Sequence, residues 1–281
     1  MAFTAADVKN LREMTGVGMM DCKKALVASD GDMDKAIEFL REKGLAASAK
    51  KAGRIAAEGM AYAAVIDGVG VVVEVNAETD FVGKNEKFVD FVKGVAATVV
   101  ANKPADLDAL MACKYADTDN TVTEQQQEMV LVIGENIKVR RFSFFTEGVS
   151  VPYIHAGGKI GVLVNLEVSE GIDATEIGKD VAMQIAATNP VALDEESVPE
   201  EVREHEMSIY KAQAAESGKP ENIQEKIATG RMKKFYKESC LVDQDFVKDP
   251  DQTVSSYIAS VAKELGDEIK VVDFARIALG D

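Results

Sequence analysis

The spacing of hydrophobic positions changes several times along the chain, and each change marks an element. Residues 71–84, VVVEVNAETDFVGK, open as an unbroken apolar run and pass into alternation. They stop at a polar corner, Asn76-Ala77-Glu78-Thr79-Asp80. β-Branched residues closed by Asn, Asp and Gly predict a strand ending in a turn. From Asn85 the period lengthens. Phe88, Phe91, Val92, Val95 and Val99 share one face of a buried helix over 85–101. The corner is therefore a strand-to-helix junction, with Phe81 and Val82 at its exposed end and Gly83 releasing the backbone. Two readings of it stand side by side. In one, Thr79 or Asp80 caps the helix and Phe81 is a hydrophobic staple on its first turn. In the other, the corner is a functional surface.

The N-terminal pattern is helical throughout. Thr4 and Asp7 resemble a capping box, and Val8, Leu11 and Met14 give the first helix its apolar face. Gly16 and Gly18 break it, 19–28 forms a second helix, and Asp30-Gly31-Asp32 starts a third, 33–43, closed by Gly44. Adjacent Met19 and Met20 point in different directions from a helix, so one reading exposes at least one of them as an adaptable contact surface, and the other places both in the core. Residues 45–57 are Ala-rich and basic without an apolar stripe, which predicts a linker, helical or extended.

From residue 58 the chain repeats a unit. A hairpin over 59–75 precedes the helix 85–101, and a second hairpin over 148–168 precedes a helix over 174–187. This pattern predicts an internal duplication and two related subdomains. Between the units lie helices over 107–115 and 122–133 and a strand over 138–145, whose Arg140-Arg141 reads as a solvated strand end. After Pro199 the helices become charged and poor in apolar residues, with Ile223, Ile227 and Phe235 lining the second. Gly218-Lys219-Pro220 joins them as a tight hairpin, which predicts an antiparallel coiled-coil arm. An irregular stretch over 241–249, a helix over 254–265 and a strand over 268–279 close the chain. The expected fold class is α+β, divided into residues 1–45, a linker 46–57, and core subdomains 58–143 and 144–281 with the arm at about 199–237.

Composition narrows the chemistry. The 281 residues carry 48 acidic and 32 basic side chains, a net charge of −16. Phosphate affinity comes from clustered Lys and Arg, so a general nucleic-acid binder is not expected. No apolar run approaches the roughly 20 residues of a membrane span, and the N-terminus lacks the basic and apolar regions of a signal peptide. Three distant cysteines form neither a disulfide framework nor a metal motif, so a cytoplasmic protein is expected. There is no phosphate-binding loop, nucleophile elbow or zinc-protease motif. His205 sits among charges, and His155 ends a strand in a Gly-rich hairpin. A protein-interaction factor and an enzyme with a pocket between the two core subdomains both fit these patterns, and the missing motifs favour the first.

Several stretches resemble the elongation factor Ts family: LREMTGVGMMDCKKAL at 11–26, EVNAETDFV at 74–82, IGENIKVRR at 133–141, HAGGKIG at 155–161 and GRMKK at 230–234, in family order. The resemblance implies a ubiquitin-associated-like N-terminal domain of three helices, a two-subdomain core and a coiled-coil arm. It implies a guanine-nucleotide exchange factor, not an enzyme, whose partner is elongation factor Tu. In it Thr79, Asp80, Phe81 and Val82 disturb the partner's Mg²⁺ site, while Arg12, Met19, Met20, Lys23, Ile133, Gly134 and His155 bind the partner. No cofactor is implied, and the ion belongs to the partner. Self-association through the core or the arm is a further possibility of the pattern. Some family members continue past the last strand with an extra module, and this sequence stops at Asp281.

Overall fold

The computed structural model describes residues 3–116 and 118–281. Met1 and Ala2, which open the stretch expected to lack a leader, and Asp117 lie outside them. Three helices come first: α1 (Ala5–Thr15), α2 (Met19–Ala28) and α3 (Met33–Lys51). A hairpin of β1 (Glu58–Ile66) and β2 (Val69–Ala77) follows, then α4 (Glu86–Asn102), α5 (Leu107–Ala112) and α6 (Val122–Ile133). Strand β3 (Lys138–Phe145) completes an antiparallel sheet of order β1-β2-β3 and runs past the subdomain boundary expected at 143. The second half has β4 (Val149–His155), β5 (Ile160–Glu167) and α7 (Thr175–Thr188). Helices α8 (Glu200–Ala215) and α9 (Glu221–Ser239) come next, then the short strands β6 (Asp245–Phe246) and β7 (Asp249–Thr253). Helix α10 (Val254–Leu265) and β8 (Lys270–Ala278) end the chain, and the second antiparallel sheet has the order β4-β5-β8. The fold is α+β.

Why residues 71–73 form an unbroken apolar run is answered by the packing. Val71, Val73 and Val75 face α4 and join a core with Phe88, Phe91, Val92 and Val95. Val72, on the opposite face, meets Ala61, Ala63, Leu163 and Ile277 of the two sheets. Strand β2 is thus covered on both faces, so simple alternation is lost. In the second sheet Val162, Val164 and Leu166 face α7 and α10. Each middle strand also carries a register shift at its sixth residue, Glu74 in β2 and Asn165 in β5.

Several local expectations need correction. Helix α3 does not end at Gly44 but continues to Lys51, so the first half of the linker takes the helical of its two expected forms. Gly44 is buried against α6, where an added Cβ would lie 3.3 Å from the Gln127 carbonyl oxygen. The glycine permits close helix approach and is no terminator, and Leu131 and Val132 of α6 extend the N-terminal core of Leu11, Cys22, Leu26 and Leu40. Helix α5 stops at Ala112 because Cys113 turns extended and Lys114 bridges to Thr121. Tyr115 instead stacks on Phe91 with ring centroids 5.6 Å apart. The stretch 241–249 is more ordered than expected, with a 3-10 turn at Leu241–Asp243 leading to β6.

Arg140 and Arg141 are not a free strand end. Both pair with Glu74, at 3.0 and 2.6 Å, and the Glu74 side chain is fully buried. An unpaired carboxylate there would be prohibitively expensive, so the two guanidinium groups are a condition of its burial. Arg141 also donates to the Ala278 carbonyl at 3.0 Å, which ties β3 to the last strand. In α9 the buried residues are Ala228, Met232 and Tyr236, four apart, while the expected seam residue Ile223 is exposed. Ala214 of α8 is buried too, and small side chains let these helices approach.

Candidate functional site

The corner after β2 is built from buried supports beneath an exposed tip. Helix α4 is capped by Asn85, whose Oδ1 accepts from the Lys87 and Phe88 amides at 3.0 and 3.4 Å. A 3-10 turn, Val82–Lys84, separates that cap from Thr79 and Asp80, which overturns the capping reading of those two residues. The staple reading of Phe81 fails as well, because its side chain is 80% exposed. Val82, expected at the exposed end, is buried in the core beside Phe88. Gly83 rests on Gly59, the second residue of β1, so closely that a Cβ would lie 2.7 Å from the Gly59 oxygen. Only glycine allows this approach. Val82 and Gly83 therefore anchor the turn while Asp80 and Phe81 project from it.

A reciprocal carboxylate clamp fixes the other side. Glu135, just past the left-handed Gly134 that ends α6, accepts from the amides of Glu78 and Thr79 at 3.1 and 3.0 Å. The Thr79 hydroxyl donates to the same carboxylate at 2.7 Å. In return the Asn136 amide donates to Glu78 at 2.7 Å, and Arg54 pairs with Glu78 at 3.3 Å. The Asn136 amide holds the Glu78 carboxyl below its usual range, and the Arg54 charge adds to this. The side chain of Asn136 also donates to the Arg54 carbonyl at 2.8 Å. Two loops far apart in sequence thus become one rigid unit.

These bonds bring together part of the expected site. Ile133, half-buried, and Gly134, exposed, sit directly before the clamp. His155 arrives from the second sheet: the Ala61 amide donates to the Gly158 carbonyl at 2.7 Å, joining the β4–β5 turn to β1 two residues from Gly59. His155 is exposed, and Nδ1 lies 3.0 Å from the Tyr153 hydroxyl. Arg12, Met19, Met20 and Lys23 form a separate exposed group on α1 and α2. Both methionines face solvent, at 52% and 64% exposure, so neither fills the N-terminal core. The α1–α2 turn meets the first turn of α4, where Lys87 Nζ donates to the Gly16 carbonyl at 3.2 Å.

Glu78, Glu135, Asn136 and Arg54 are not among the site residues expected from the sequence, although Glu78 stands in the polar corner itself. Glu135 and Asn136 lie in IGENIKVRR, but nothing in their spacing reveals that they grip residues 78 and 79 from nearly sixty positions away. Among the described residues no group of three His, Cys, Asp or Glu side chains is placed to hold a metal ion. Among the described residues, too, no helix is long and apolar enough to cross a membrane.

Comparison with known proteins bears on the whole arrangement. The family model described as Elongation factor TS matches residues 78–281, from the clamp residue Glu78 to the last strand. The chain is 49% identical over 285 residues to the elongation factor Ts of Syntrophotalea carbinolica, an alignment that covers all of this chain and 94% of that protein. It is 51% identical over 291 residues to that of Trichlorobacter lovleyi, with all of this chain and 94% of the relative covered. Against that of Clostridium novyi the identity is 49% over 284 residues, with 99% and 93% covered. Identity near one half, sustained from the N-terminal helices through the corner to β8, means that this chain belongs to the elongation factor Ts family of translation elongation factors.

Proposed function

We propose that this chain is the guanine-nucleotide exchange factor of elongation factor Tu, and that the Thr79–Val82 corner drives release of GDP. One observation carries the reading: a phenylalanine 80% exposed on a turn whose base is fixed by the Glu135 clamp, Val82 and Gly83. A side chain held in place before binding loses little freedom on insertion. Burying such an exposed ring in a partner is worth ~2–3 kcal/mol. GDP is held through its phosphates and Mg²⁺, and Mg²⁺ demands near-ideal octahedral oxygen geometry. A wedge at Phe81 beside the Asp80 carboxylate would displace the elements that support that geometry. The ion belongs to the partner, and this chain catalyses no chemical step of its own.

Within this reading Thr79 locks the turn, Val82 anchors it, and Asp80 and Phe81 enter the partner. Ile133, Gly134 and His155 extend the contact across the core. Arg12, Met19, Met20 and Lys23 dock the N-terminal helices, where methionine adapts to an apolar partner surface. We assign α1–α3 to a docking module, the β1-β2-β3 and β4-β5-β8 sheets with their helices to two duplicated core subdomains that divide between β3 and β4, and α8–α9 to a coiled-coil arm. The protein would work in the cytoplasm on both GDP-bound and nucleotide-free partner. By linkage, a factor that binds the nucleotide-free partner more tightly lowers GDP affinity by the same ratio. Each ~1.4 kcal/mol of difference gives a tenfold effect.

The test is the double variant Asp80→Ala/Phe81→Ala. Its exposed side chains support little core, so its melting curve should match the parent within ~1–2 kcal/mol. Stopped-flow release of fluorescent GDP from elongation factor Tu should lose most of its stimulation. Near-normal release, or collapse of the variant's own melting transition, would refute the wedge.

A further inference from the structure

We infer that Ile55 is a second apolar contact to the face of elongation factor Tu that meets the corner, supplying affinity where Phe81 supplies release; this rests on the exchange-factor reading above. Ile55 is 87% exposed, more than Phe81. A lone exposed aliphatic residue is ordinary, and exposure by itself says nothing. What distinguishes Ile55 is how its backbone is held.

The connector between α3 and β1 has no regular structure at Ile55, yet the preceding residue is fixed three times. The Arg54 amide donates to the Lys51 carbonyl at 2.8 Å. Its carbonyl accepts from Asn136 Nδ2 at 2.8 Å, and its guanidinium meets Glu78 at 3.3 Å. Asn136 and Glu78 are the residues that clamp the corner. Three residues beyond Ile55, β1 begins at Glu58, and the next residue, Gly59, supports Gly83. Ile55 and Phe81 are therefore carried by one hydrogen-bonded hub, each exposed and each pre-positioned. A partner surface that closes over the corner finds the second apolar group already placed, with no loop to order. Both side chains stand beside residues that Glu78 and Asn136 tie together, which is why one occupant serves both.

The roles separate in measurement. Ile55→Ala removes three carbons, and full burial of those carbons corresponds to roughly 10- to 50-fold in affinity. Ile55→Asp adds a charge to the same spot and should weaken binding further. Val65 serves as reference: also an exposed aliphatic residue on β1, it lies at the hairpin end, roughly 20 Å along the strand from the corner. Titrate elongation factor Tu loaded with fluorescent GDP with the full-length parent, Ile55→Ala, Ile55→Asp, Val65→Asp and Phe81→Ala, and measure the half-saturating concentration and the maximal rate of GDP release. The expected result is a raised half-saturating concentration for both Ile55 variants, an unchanged maximal rate, unchanged melting curves and a parent-like Val65→Asp. Parent-like titration of Ile55→Asp overturns the inference, as does a fall in maximal rate without a change in half-saturation. Equal weakening by Val65→Asp overturns it too, because the effect is then charge in general. If Phe81→Ala releases GDP normally, the exchange-factor role of the corner fails instead, whatever Ile55 does.

Discussion

Removing the Glu135 carboxylate should disable the corner without touching its tip. In Glu135→Ala the amides of Glu78 and Thr79 and the Thr79 hydroxyl lose their acceptor together. Hydrogen bonds to a charged group are worth ~1.5–3 kcal/mol when well buried, and these partly exposed ones can be replaced in part by water. About 0.5–1 kcal/mol each gives ~1.5–3 kcal/mol for the three. The Asn136–Glu78 bond and the seat of Val82 remain, so the loss falls on the order of the turn more than on the core. For a chain of this size that corresponds to a fall in Tm of several degrees. Exchange should suffer more, because only the fraction of molecules with an ordered corner is competent to bind, and apparent affinity falls with that fraction. Stopped-flow GDP release against factor concentration should show a half-saturating concentration raised about tenfold or more. Glu135→Gln retains one acceptor oxygen and should fall between parent and Ala. A double-mutant cycle separates positioning from simple destabilisation: in a Phe81→Ala background the further loss from Glu135→Ala should be small, because the clamp acts through Phe81. Additive losses, or parent-like exchange in a variant whose Tm has fallen, would refute the positioning argument.

Met19→Ala/Met20→Ala should leave the melting curve within ~1 kcal/mol of the parent, since both side chains face solvent, while affinity for elongation factor Tu drops in an equilibrium titration. His155→Ala removes an exposed ring whose hydrogen-bond partner is the Tyr153 hydroxyl, so GDP release should weaken more than stability. Equal loss of both would return His155 to a purely structural role. The Glu78 carboxyl is held below its usual value of 4.5 by the Asn136 amide, so the stability it contributes is complete above about that pH. That stability is lost as the pH falls through the lower folded-state value, and Glu78→Gln should flatten this acid limb in pH-dependent melting. An unchanged limb would show that Glu78 does not titrate with unfolding.

The β-branched run at 71–73 and the helical spacing over 88–99 were enough to predict a strand, a corner and a helix, because burial of β2 on both faces and of α4 on one is written in contiguous residues. The same holds for the capping box at Thr4 and Asp7, whose partners are three residues apart. The resemblance in the signature stretches was equally legible, because it resides in contiguous residues. What the sequence left open was decided by contacts across distance. Gly44 reads as a helix stop until α6 is seen to lie against it. Glu74 lies within an apolar run, and only β3 supplies the two arginines that permit its burial. Capping and staple readings of Thr79, Asp80 and Phe81 were locally sound, since propensity alone cannot tell a side chain that folds back on its own helix from one that projects away. Glu135 settles the matter from 56 positions beyond Thr79. Hydrogen bonds of that span depend on how two loops are brought together, and no short-range pattern in the chain encodes that.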